Sequence, residues 1–146
     1  MRLLILAAAL LGLIAAPAAA QKPDAQQGQA VDLESLLGLQ RPDPARVRAA
    51  IEAAEAHPLG SMQNPVRVGA PEGERAYMAR LRCADGRPPR IGQRVNAGFG
   101  PFYMIVDVYP LDCGDAAPGR ASLAMDMYHP EHREERAPPG FAIVPR

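Results

Sequence analysis

The most regular alternation of apolar and polar positions lies at residues 102–129. Two apolar runs, residues 102–109 and 121–129, flank a segment dense in Gly, Pro and Asp. Strand-forming residues on either side of such a joint predict a β-hairpin with a long turn. In the first run Phe102, Met104, Val106 and Val108 share one face, and Tyr103, Ile105, Asp107 and Tyr109 share the other. Neither face is wholly polar, so this strand is expected to be central and covered on both sides, with an N-terminal helix as the second cover. The second run divides into Ala121, Leu123, Met125 and Met127 against Ser122, Ala124, Asp126 and Tyr128.

The rest of the chain is read around this hairpin. Asp43-Pro44 pairs a capping acid with a first-turn proline, which predicts a helix over residues 45–56 carrying Val47 and Ile51 on one face. His57-Pro58 ends it, with His57 as a C-terminal cap rather than a catalytic base. Residues 31–39 place Val31, Leu33, Leu36, Leu37 and Leu39 at helical spacings and predict a shorter helix. Composition then shifts. Residues 65–68 predict a short strand, and residues 74–83 a half-buried strand with Tyr77, Ala79, Leu81 and Cys83 on one face. Residues 91–96 predict a short edge strand, 97–101 a glycine turn, and 141–144 a last strand. The expected fold class is α+β, with one or two N-terminal helices packed on a small, mostly antiparallel sheet of four or five strands. One domain is expected: a helical segment at 31–60 and a β-rich part at 61–146.

The N-terminus changes this picture. Met1-Arg2 is a positive start, residues 3–16 are apolar, and Pro17-Ala18-Ala19-Ala20 ends in small residues before Gln21. That is the anatomy of a secretory signal peptide over residues 1–20. A spanning helix wants about 20 apolar residues, and Pro17 interrupts the run first, so no membrane span is expected after cleavage. Residues 21–30, with four glutamines and no apolar periodicity, read as a disordered lead. The expected location is periplasmic or secreted.

Charge and cysteines narrow the function classes. Sixteen basic residues balance sixteen acidic ones over the 146 residues, which argues against a general nucleic-acid binder. Cys83 and Cys113 are the only cysteines. In an exported chain an even pair predicts one structural disulfide, and a redox dithiol would sit as C-x-x-C instead. The bridge requires the strands before the two cysteines to be parallel or non-adjacent, or residues 111–113 to fold back.

The densest chemistry is at residues 126–135. Asp126, His129, His132 and Glu134 are donor types that bind zinc or a similar divalent ion. The competing reading is a solvated charged turn after the last core strand, since Pro130 breaks any helical face and the H-E-x-x-H pattern is absent. Arg80, Arg82 and Arg87, with Arg90 and Arg94, gather near the loop after Cys83 and suit an anionic partner such as an envelope polyanion; the alternative is an ordinary solvent face. Ser61 and Ser122 lie in no nucleophile elbow, and Gly98 and Gly100 lack the Lys-Ser/Thr of a phosphate loop.

The succession Asn64-Pro65-Val66-Arg67, Tyr77-Met78-Ala79-Arg80-Leu81-Arg82-Cys83-Ala84-Asp85-Gly86, Gly100-Pro101-Phe102-Tyr103, Val106-Asp107-Val108-Tyr109 and Met125-Asp126-Met127-Tyr128-His129 resembles a group of small exported proteobacterial proteins of unassigned function. The resemblance spans residues 61–141. It implies an exported compartment and a single domain, and assigns no residue a role. The functional expectation is an exported envelope protein of the binding or interaction kind, with an unidentified envelope component as partner and no cofactor. The alternative is a divalent-metal-binding protein or metal-dependent hydrolase using Asp126, His129 and His132. A hydrolase needs those side chains convergent in a cleft, whereas an interaction module shows an exposed apolar or arginine-lined patch.

Overall fold

The computed structural model describes residues 42–146. The signal peptide expected at 1–20, the disordered lead expected at 21–30 and the short helix expected at 31–39 all lie outside those residues. The first described helix, α1 (Pro44–Ala54), starts as its sequence dictates: the Asp43 side chain accepts from the Ala45 N–H at 2.9 Å, and Pro44 occupies the first turn. At its end the His57 backbone N–H, not the imidazole, closes onto the Ala54 carbonyl at 2.9 Å. The imidazole therefore does not provide the cap expected of it.

β1 (Val66–Arg67) leads into α2 (Ala70–Met78), followed by β2 (Leu81–Arg82), β3 (Arg90–Ile91), β4 (Val95–Phe99), β5 (Ile105–Asp112), β6 (Arg120–Asp126) and β7 (Ala142–Ile143). Among the described residues the fold is α+β, with two helices and a mostly antiparallel sheet. The main sheet runs β1-β6-β5-β3, with β4 also on β5. β5 and β6 form the expected hairpin, in register from Asp107↔Met125 to Asp112↔Arg120. β1 joins β6 in parallel, setting Val66 beside Met125 and Arg67 beside Asp126. β2 and β7 make a separate two-stranded antiparallel sheet.

The structure corrects two elements. Residues 74–78, expected to begin a strand, are instead part of a helix, α2. Pro71 sits in the first turn, and Glu74, Tyr77 and Met78 are the buried residues of α2. Their i, i+3, i+4 spacing is a helical stripe, and it uses the same Tyr77 that the alternating reading used. α2, not α1, is the helix that covers the sheet: Tyr77, Met78, Val66, Val68, Leu81, Leu111, Leu123 and Met125 form the core cluster. Ala54 is the only buried residue of α1. The second correction concerns residues 97–101. β4 continues through Gly98 and Phe99, and the chain turns only from Gly100, whose carbonyl accepts from the Tyr103 N–H; a Cβ on Gly100 would also overlap the Val106 side chain, so glycine there permits close packing as well.

Pro110 explains the break between β3 and β4. Both pair with the same edge of β5, and Gly92, Gln93 and Arg94 lie opposite Tyr109 and Pro110. Proline has no N–H to give the ladder, so the extra residue is absorbed there. Cys83 and Cys113 are disulfide-bonded with Cα atoms 5.8 Å apart. The topological requirement is met by non-adjacency: β2 and β5 belong to different sheets, and the bridge ties the two sheets together.

Candidate functional site

The residues singled out between Asp126 and Glu134 occupy the end of β6 and the turn beyond it. Asp126 is fully buried. Its Oδ1 accepts from the Tyr128 N–H at 3.0 Å, and its Oδ2 faces His129 Nε2 at 3.3 Å. Neither of those facing atoms has an aligned hydrogen-bond partner. The Phe102 ring meets His129 edge-on at 5.5 Å. The His129 carbonyl accepts from the His132 N–H, so the chain turns here, and His132 Nε2 points instead at Glu134 Oε2, 3.4 Å away.

Glu134 is the hub of an ion network. Its Oε1 accepts from the backbone N–H of Glu135 and Arg136 and from Arg136 Nε, while Oε2 accepts from Arg136 Nη2 at 3.0 Å. Burial alone would raise the proton affinity of this carboxyl, but the Arg136 hydrogen bonds outweigh it and hold its pKa at about 2. Arg136 also grips Glu55 beyond the end of α1 through both terminal nitrogens. Arg67 lies 3.8 Å from Glu55 and 5.9 Å over the Phe102 ring, and its burial pushes its pKa down. Burial, followed by the field of Arg67, lowers the pKa of His132.

The four donors proposed for a metal are thus divided between two pairs, Asp126–His129 and His132–Glu134, and Glu134 is saturated by Arg136. Among the described residues no three His, Cys, Asp or Glu side chains converge in a way that could hold a metal ion.

The arginines proposed for an anion are each engaged within the chain. Arg80 is buried and donates to the Val144 and Glu134 carbonyls and the Glu135 carboxylate. Arg82 donates to the Ala79 and Leu81 carbonyls, and Arg87 to Asp85 at 2.7 Å. Arg90 pairs with Asp112 at 2.8 Å and Arg94 with Asp107 at 3.2 Å. The Arg87 and Arg90 pairs line a groove of about 330 Å³ beside the disulfide, with acidic Asp85, Asp112 and Asp115 in the same wall. Each cation there already has its counter-ion, and the local charge is mixed.

The apolar surface is concentrated elsewhere. Phe99 is 80% exposed, Val95 57% and Ile91 46%, all on the β3–β4 edge. Tyr103, in the turn between β4 and β5, holds the left-handed backbone conformation with φ 66°, and the Arg46 guanidinium lies 5.1 Å above its ring. Below Phe99 a groove of about 380 Å³ runs against α1, lined by Ala50, Ala53, Ala54, Met62 and Pro101. The outer side of β4 is blunted, since its register shifts between Asn96 and Phe99 and the Gly98 N–H is taken by the Asn96 side chain at 2.8 Å. What this edge offers is apolar side-chain surface rather than a regular backbone row.

Sequence reasoning did not find Arg67, Arg136, Glu55, Glu74 or the Phe99 edge. The one signal available was the Pro65-Val66-Arg67-Val68 strand, in which a lone arginine stands between two buried valines. The chain matches no protein-family model, no curated protein and no solved structure.

Proposed function

We propose that the chain is an exported, non-enzymatic binding module that meets its partner through the apolar β3–β4 edge. The observation that carries this reading is the exposure of Ile91 on β3 and of Val95 and Phe99 on β4, with Phe99 lining an apolar groove, since an aromatic side chain held in water at a groove mouth marks an interaction surface. The disulfide supports an oxidising compartment. No helix among the described residues is long and apolar enough to cross a membrane.

The test places a photo-crosslinking amino acid at Phe99, Val95 or Arg48 of the full chain in cells, followed by fractionation. The expected result is a discrete adduct from Phe99 and Val95 in the exported fraction and none from Arg48. Equal labelling from all three positions, or retention of the chain in the cytoplasm at its full length, overturns the proposal. The metal reading retains one observation, the facing Asp126 Oδ2 and His129 Nε2 without other partners. Metal analysis of chelator-free protein, with His129→Ala and His132→Ala beside it, decides it: stoichiometric metal lost in both variants would restore that reading.

A further inference from the structure

A polar contact between α2 and β5 serves neither the ion network nor the apolar edge. Glu74 of α2 is 1% exposed. Its Oε2 accepts from the Tyr109 hydroxyl at 2.7 Å, while its Oε1 is buried with no hydrogen-bond partner. Two residues back along β5 lies Asp107, also buried, whose Oδ2 accepts from Arg94 on the β3–β4 connection. The nearby cation is therefore bonded to Asp107 and not to Glu74. A carboxylate with one orphaned oxygen, buried beside a second carboxylate, is an unfavourable arrangement, whereas a neutral carboxylic acid is tolerated there.

We propose that Glu74 is a proton-held latch between α2 and β5: as a carboxylic acid it lets the helix seat on the sheet, and on releasing its proton to solvent it loosens that helix. The groups that act on it are Tyr109 and Asp107 from β5, Arg94 from the β3–β4 connection and Arg75 from its own helix. Burial first and Asp107 next favour the protonated form, Tyr109, Arg94 and Arg75 oppose it, and the balance raises the carboxyl above its ordinary 4.5. A raised folded-state value stabilises the seated helix fully below 4.5, and that stabilisation is lost as pH rises through the folded value. The same helix carries Tyr77 and Met78 into the core, so its loosening uncovers that cluster.

The test is amide hydrogen exchange of the full, disulfide-intact chain across pH, corrected for intrinsic exchange. The α2 amides are expected to lose protection by up to about tenfold per pH unit above 4.5 and then to level off, while β5 and β6 keep theirs. Glu74→Gln, which cannot ionise, removes the slope. Tyr109→Phe removes a bond that favours the carboxylate and moves the levelling-off to higher pH, where a purely structural loss would lower protection equally at every pH. Parallel profiles for wild type and Glu74→Gln, or equal loss in β5 and β6, overturn the proposal. Should Glu74→Gln fail to fold, the carbon-13 titration of the wild-type Glu74 carboxyl decides: an ordinary midpoint refutes the latch.

Discussion

Glu134→Gln probes the ion network most directly. The Glu134 side chain is 4% exposed and both its oxygens accept from Arg136. Its carboxyl is pulled from 4.5 to about 2. At 1.36 kcal/mol per pKa unit this corresponds to about 3 kcal/mol of stability at neutral pH. The sign follows from a depressed folded-state value: the contribution is present above 4.5 and is lost as pH falls through the folded value. Glutamine keeps the shape, loses the charge, and turns an amide toward Arg136. Urea unfolding of the disulfide-intact protein should therefore show a deficit of about 3 kcal/mol at pH 7 that shrinks below about 1 kcal/mol at pH 2. Comparing the variant with wild type at each pH cancels the titrations the two proteins share. An equal deficit at both pH values, or none at pH 7, would show that Arg136 and Glu134 are merely neighbours.

Three further outcomes are expected. Replacing Cys83 and Cys113 together by Ala should remove on the order of 3–4 kcal/mol, the chain-entropy value for a loop of about 30 residues; a shift in urea midpoint worth under about 1 kcal/mol would mean the closed loop constrains little. Leu123 is 1% exposed in the core, so Leu123→Ala should cost about 2–5 kcal/mol, with a near-neutral result contradicting its placement. Ala70 has φ 58°, a conformation glycine adopts without strain, so Ala70→Gly should raise stability by about 1 kcal/mol; a lower melting temperature would refute that assignment of strain.

The hairpin, the first and last strands, the capped start of α1 and the disulfide were legible because each rests on local signals. Asp43-Pro44 announces a helix start, and the turn residues between Asp112 and Arg120 announce a hairpin. α2 was not legible because Tyr77 and Leu81 satisfy both the two-residue and the helical period. Only the packing of Glu74, Tyr77 and Met78 against the sheet selects the helix. The end of β4 was masked by Gly98 and Gly100, which read as a single turn although the strand runs through Phe99 and the chain turns only from Gly100. The site was the least legible part. Arg136 meets Glu55 across 81 positions of sequence, and Arg67 reaches Asp126 only through the parallel register of β1 on β6. Local spacing carries no trace of such pairs. Conversely, the His129-x-x-His132 spacing that looked chemical places each imidazole with a different carboxylate.

The pairing of β2 with β7 has a consequence in time. Leu81 finds its strand partner in Ile143, and the Arg80 carbonyl receives the Val144 N–H. Synthesis runs from the N-terminus, so Arg80 and Leu81 exist long before the segment that closes over them. Closure of the small sheet must therefore wait for residues 142–144, and Tyr77, whose hydroxyl donates to the Arg136 carbonyl, waits almost as long. Until then the growing chain holds Leu81 and Tyr77 without these partners. Pairings this distant in sequence form after the local ones. The two-stranded sheet is thus the part of the described fold whose pairing is completed latest.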